Sequence, residues 1–156
     1  MAIQGISRII NAPRDLIFDL VADVEIYPKL FPLWRDARVL QRDGDSYVAS
    51  QEVGNGDTIE QFRSHTSLTR PTHIDVTSED ELFKEFHIRW DFDSVGEKCR
   101  VALAITCAMK ARSLQPRIDQ LLLRSPLSML LALEDRAAFM LATPGGERSM
   151  QIPAGQ

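Results

Sequence analysis

The chain carries three histidines (His65, His73 and His87), two cysteines (Cys99 and Cys107) and one dense acidic run, Glu79-Asp80-Glu81. Histidine can serve as a general base or metal ligand, cysteine as a nucleophile, and clustered carboxylates as a cation site. The spacing argues against each. The histidines fall on separate strand segments, and His65 and His87 alternate away from the apolar positions, which predicts solvated side chains. The acidic run ends a strand as a solvated turn, and Glu97-Lys98 reads as hairpin surface. Cys99 and Cys107 share one strand, which at about 3.3 Å per residue separates them by roughly 26 Å. A disulfide tolerates about 7 Å between Cα atoms, so two small core residues are predicted instead. There is no Walker A sequence, nucleotide Gly-rich loop, Cys-x-x-Cys or His-Glu-x-x-His. Gly54-x-Gly56 reads as a turn, and no Ser–His–Asp set stands out. The expected complement of catalytic residues and metal ligands is therefore none.

What the sequence does supply is an apolar surface and the elements to build it. Ile3 to Ile10 reads as a strand ended by Asn11-Ala12-Pro13, with Pro13 suited to the first turn of a helix. Ile17, Leu20, Val21 and Val24 then recur with helical period, and Asp23 is expected to cap a second short helix through Tyr27. From Trp34 to Met109 the pattern becomes strands separated by turns at Asp43-Gly44, Gly54-Asn55-Gly56-Asp57, Arg70-Pro71 and Val95-Gly96. Phe86, Ile88, Trp90 and Phe92 alternate with polar residues, as do Cys99, Val101, Leu103, Ile105, Cys107 and Met109. Such alternation predicts an antiparallel sheet with one dry face.

A helix from about Ser113 to Leu141 is the element available to cover that face. Leu114, Ile118, Leu121, Leu122, Met129, Leu133, Phe139 and Met140 fall within an arc of about 120° at 100° per residue. Leu123, Leu127, Leu130 and Leu131 fall on nearly the opposite side, and Pro126 interrupts the backbone donors among them. Three readings stand for this second set: core residues re-phased at Pro126, a homodimer contact, or a membrane surface helped by Arg112, Arg117 and Arg124. The predicted domain spans residues 1–142, with a disordered tail over 143–156 that Thr143-Pro144-Gly145-Gly146 opens.

Composition bounds the function. The chain has 156 residues, 44% of them apolar, and a net charge of −4. That balance disfavours DNA or a broad RNA footprint. Nothing approaches the roughly 20 apolar residues of a membrane span. The first residues have neither a signal-peptide nor a transit-peptide pattern, so a cytoplasmic location is expected, with peripheral membrane association as the variant. The inner surface of Phe62, Phe86, Trp90, Leu103, Ile105 and Met109 has mainly Ser64 and Thr66 as polar members. That favours a hydrophobic small molecule as partner over acid–base catalysis.

The segment from Leu20 to Trp34, LVADVEIYPKLFPLW, closely resembles the signature of the coenzyme Q-binding, START-like family. Phe83-Lys84 leading to Arg89-Trp90-Asp91-Phe92 and then Cys99-Arg100-Val101 is a second match. Ala132-Leu133-Glu134-Asp135-Arg136-Ala137 is a third. The resemblance implies an α+β helix-grip fold: a curved antiparallel sheet of about seven strands wrapped on a long C-terminal helix. It also implies a hydrophobic tunnel, with Tyr27, Phe31 and Trp34 at its entrance and Trp90 within. Leu114, Ile118 and Leu122 would line it from the helix. A bound ubiquinone or similar lipid is the only cofactor-like molecule expected, in a non-enzymatic role supporting respiration. Other branches imply inhibition of ribosomal subunit association, or polyketide cyclase and dehydrase activity. The chain departs from the family pattern at Glu81-Leu82, where Gly-Pro is usual, at Cys107-Ala108-Met109, where aromatics are usual, and at Pro126.

Overall fold

A computed structural model describes residues 2–56 and 58–142; the expected tail over 143–156 lies outside the described residues. Strand β1 (Ala2–Ile10) leads to helix α1 (Arg14–Ala22), a 3-10 turn (Val24–Ile26) and α2 (Tyr27–Leu30). Six strands follow: β2 (Trp34–Asp43), β3 (Ser46–Asn55), β4 (Thr58–Thr69), β5 (His73–Thr77), β6 (Phe83–Val95) and β7 (Lys98–Met109). A 3-10 turn (Arg112–Leu114) then opens α3 (Gln115–Ala142). The strands form one antiparallel sheet in the order β1-β7-β6-β5-β4-β3-β2, the expected helix-grip arrangement. The short-helix region runs further than expected. Pro28 sits in the first turn of α2, where it costs no hydrogen bond, and Asp23 makes no side-chain cap.

Period-two alternation holds along the central strands. Phe62, Ser64, Thr66 and Leu68 of β4 are buried, while Gln61, Arg63, His65 and Ser67 are exposed. Tight hairpins at Gly44 and Gly96 need positive φ (61° and 65°), which glycine adopts without a Cβ penalty. Three register shifts break the alternation, between Trp34 and Asp36 and between Val39 and Gln41 in β2, and between Phe83 and Glu85 in β6. A bulge inserts one residue and so reverses the facing of what precedes it. Trp34 and Ala37, three apart, are both buried, and Phe83 joins Phe86 and Ile88 on the concave side. The shift in β6 lies inside a segment that resembles the family signature, and the first shift in β2 begins at the last residue of another.

Helix α3 lies chiefly along β1 and β7 and touches α1 and α2. Gln115 ties its start to the sheet: Gln115 Oε1 accepts from the Met109 amide (2.8 Å) and Nε2 donates to the Cys107 carbonyl (3.2 Å). Arg8 and Glu134 pair across the other half at 3.0 Å. The buried residues Leu122, Pro126, Met129, Leu130, Leu133 and Ala137 make the main stripe. Before Pro126 the inward residues centre near Ile118 and Ser125; after it they centre near Leu133. At 100° per residue the face has turned by roughly 70°. This turn corrects the helical-wheel reading in two places. Leu130 is fully buried, and Phe139, assigned inward, is half exposed.

On the convex face His87 is half-buried rather than fully solvated, with its Nε2 2.8 Å from Asp75 Oδ1. Arg89 donates to both Asp75 and Asp91 at 3.1 Å. Burial alone would raise the Asp75 pKa, but the hydrogen bonds from His87 and Arg89 outweigh it and the net shift is downward. A carboxylate whose pKa is depressed on folding stabilises above its unfolded pKa of about 3.9 and loses that contribution as pH falls through the folded value. Asp75→Asn should therefore flatten the acid limb of stability below about pH 4, and cost about 1 kcal/mol or less at neutral pH. Urea unfolding at several pH values checks this; parallel acid limbs for both proteins would contradict it.

A candidate ligand cavity under the C-terminal helix

Where α3 stands away from the central strands, a cavity of about 100 Å³ remains. Its deep wall is Trp34, Phe62, Phe83, Ile88, Ile105, Cys107, Met109, Leu122 and Met129, all buried. Half-buried Phe86 joins them, and Phe62, Phe83 and Phe86 pack with centroids 4.7–5.2 Å apart. The mouth is formed by the half-buried Leu33, Val53, Glu60, Leu82, Ile118, Leu121 and Ser125. Each strand contributes alternate residues, and the first half of α3 contributes its inward face. Glu60 is the only carboxylate of the lining among the described residues.

The expected ligand residues separate into three groups. Trp34, Phe62, Phe86, Ile105, Met109, Ile118 and Leu122 line the cavity. Tyr27 and Trp90 line instead a smaller void of about 10 Å³ behind it, with Trp34 shared between the two. Phe31 and Leu103 are packed core, each 1% exposed, and Leu114 is half-buried beside the cavity. Tyr27, Phe31 and Trp34 are thus an internal cluster, with ring centroids 4.9–5.6 Å apart, and not an entrance. Leu33 and Leu82 are half-buried members of the lining and stand at the mouth. Of the surface set, Leu123, Leu127 and Leu131 are exposed at 65%, 51% and 39%, while Leu130 belongs to the core.

Three features were not read from the sequence. Gln51 is 3% exposed, accepting from Trp34 Nε1 at 2.6 Å and donating to Ser64 Oγ at 2.7 Å. Tyr47 donates to the Ala22 carbonyl at 2.8 Å, and Tyr27 donates to the Val21 carbonyl. Glu60 stands at the mouth. A glutamine flanked by Ser50 and Glu52 in a polar stretch gives no sign of facing inward, except through its position opposite Phe62.

Burial sets the electrostatics of the interior. It pushes the Cys107 thiol up to about 11, and Cys99 likewise, so both stay protonated near neutral pH. Both cysteines are free and buried. Burial also raises the phenols of Tyr27 and Tyr47 above their ordinary value. The family-pattern departures gather here too: Leu82, Cys107 and Met109 all line the cavity, and Pro126 is buried one turn from Leu122.

Comparison with known proteins agrees with this architecture. The family described as polyketide cyclase/dehydrase and lipid transport matches residues 10–133. The ribosome association toxin RatA of Pseudomonas aeruginosa is 31% identical over 101 residues, covering 64% of this chain and 70% of the toxin. A putative polyketide cyclase of Streptomyces halstedii is 46% identical over 96 residues, covering 57% of this chain and 85% of that protein. Among solved structures, the Zhui aromatase/cyclase of Streptomyces sp. R1128 superposes with a TM-score of 0.81 at 16% identity, covering 92% and 98% of the two chains. With the helix-grip fold in place and residues 10–133 matched, the chain belongs to the polyketide cyclase/dehydrase and lipid transport family.

Proposed function

We propose that this chain binds a quinone-like or other lipid-like molecule between α3 and the sheet, and that it acts by binding rather than by turnover. The observation that carries this reading is the lining of the cavity. Its walls are hydrocarbon, aromatic ring and sulfur, and its polar side chains are confined to Glu60 and Ser125 at the mouth. Such a surface gains about 25 cal/mol for each Å² of apolar ligand removed from water and offers little directional grip on a polar substrate. The inward phenols and thiol hold their protons at neutral pH, whereas acid–base cyclisation needs a group that gives and takes one.

A volume of about 100 Å³ is somewhat less than the roughly 150 Å³ that accepts benzene, so a single ring enters as the half-buried walls at the mouth give way. A polyisoprenoid quinone such as ubiquinone fits if its ring enters and its tail leaves past Leu33, Leu82 and Leu121. The first half of α3, tethered at Gln115, then shifts outward to widen the mouth. The opposite face of that half-helix presents Leu123, Leu127 and Leu131, with Arg112, Arg117 and Arg124 alongside. We assign this face to an anionic bilayer, the leucines entering the acyl boundary and the arginines meeting headgroups. No described helix is long and apolar enough to span a membrane, so this contact is peripheral. A homodimer through the same leucines is the competing outcome.

The likeness to a putative polyketide cyclase supports a second reading, as a cyclase or dehydrase, which turnover of a model poly-β-ketone would favour. The likeness to a ribosome association toxin supports a third, against which the net charge of −4 weighs. Organic extracts of the purified protein, examined by mass spectrometry, should yield a bound quinone or lipid. Consistently empty protein that gains no thermal stability from added ubiquinone would overturn the leading reading.

A further inference from the structure

Behind the apolar cavity lies a polar end that hydrocarbon alone does not explain. The void of about 10 Å³ is lined by Tyr27, Trp34, Tyr47, Gln51 and Thr66, together with apolar residues. Trp34, Ile88 and Met129 are walls of both spaces, so the void adjoins the cavity across these three side chains. Gln51 and Thr66 are 3% and 2% exposed, as buried as the leucines around them. A void of this size holds about one oxygen-sized atom.

The hydrogen bonds around it can be assigned group by group. An indole nitrogen only donates, so the Gln51 atom facing Trp34 Nε1 must be the amide oxygen. This fixes the amide orientation and turns Nε2 toward Ser64 Oγ at 2.7 Å. One of the two Nε2 hydrogens is spent there. The Tyr27 hydroxyl is spent on the Val21 carbonyl and the Tyr47 hydroxyl on the Ala22 carbonyl. The second Gln51 amide hydrogen has no acceptor among the described residues. A buried donor left without a partner costs roughly as much as a lost hydrogen bond, and a bound molecule that supplies an acceptor recovers it.

We infer that Gln51 forms a head-group subsite for a carbonyl oxygen, so that the ligand is an apolar molecule ending in a ketone or quinone oxygen rather than a pure hydrocarbon or a carboxylate. This rests on the cavity being a ligand site, and adds orientation: carbonyl inward at Gln51, tail outward at the mouth. A carboxylate is disfavoured because no cationic side chain among the described residues lines either space to balance its buried charge. Trp34 positions the subsite by holding the amide oxygen, and Ser64 holds the first amide hydrogen.

The test compares decylbenzoquinone with decylbenzene, measured by calorimetry on the full chain. The hydrocarbon is the more hydrophobic of the two, so burial alone predicts that it binds more tightly. The subsite predicts the reverse, with the quinone favoured by roughly tenfold in the unmodified protein. Gln51→Met, close in volume, should abolish that preference, read as the ratio of the two affinities in the same variant. Because the preference is read first on the unmodified chain, a poorly folding variant does not remove the test. Equal binding of both probes, or tighter binding of decylbenzene, overturns the subsite while the cavity reading stands. Binding of neither probe overturns both.

Discussion

Replacing Cys107 with phenylalanine should abolish uptake of decylbenzoquinone while leaving the thermal midpoint unchanged or raised. Cys107 is 5% exposed, lies on β7 and faces the cavity directly. An aromatic ring placed there occupies most of a space of about 100 Å³. In a close-packed interior, filling a void restores dispersion contacts to its lining, whereas a ring with no void to enter would cost about 1–3 kcal/mol. The ligand's ring then has nowhere to sit. A loss of roughly 100-fold, or about 2.7 kcal/mol, is the least that this exclusion should produce. Cys107→Val controls for the thiol, and should bind almost normally. A folded Cys107→Phe protein with unchanged affinity would put the ligand somewhere other than this cavity.

Truncating Leu130 should cost about 2–5 kcal/mol of stability, whereas truncating Leu127 should change it by no more than about 0.5 kcal/mol. The two leucines are three positions apart, one fully buried and the other 51% exposed. Leu130 packs in the half of α3 that follows Pro126, where the inward face has already turned. The loss comes from transfer free energy plus the hole left behind. Leu127, together with Leu123, should instead govern membrane contact. Changing both to glutamine should weaken binding to vesicles containing phosphatidylserine by roughly tenfold without altering urea unfolding. Equal destabilisation at 127 and 130 would contradict the assignment of faces. Unchanged vesicle binding with a lost dimer would move the leucine surface from bilayer to partner copy.

The fold was legible because its signals are periodic. Alternation in β6 and β7, glycine turns and one long apolar helix sufficed for the sheet and its cover. Simple periodicity fails at three places where the period is locally broken. On a straight helical wheel Leu130 lies with Leu123 and Leu127, but the inward face rotates across Pro126 and takes it into the core. Strict alternation cannot place Trp34 and Ala37, or Phe83 and Phe86, on one face; a bulge in each strand does. Tyr27 and Phe31 carry the aromatic signature of an entrance, yet they pack against Trp34 and Trp90 inside. Gln51 was illegible for a different reason. Its burial depends on two partners, Trp34 and Ser64, that lie 17 and 13 residues away and meet it only across the sheet.

The central claim is enclosure of the ligand beneath α3. It is tested most directly by intermolecular nuclear Overhauser effects between bound decylbenzoquinone and methyl groups of the isotopically labelled full chain. Enclosure predicts contacts from the ligand to Ile105, Leu122 and Met129, which face the cavity. Contacts confined to Leu123, Leu127 and Leu131 would mean adsorption on the outer face of the helix, and would contradict it.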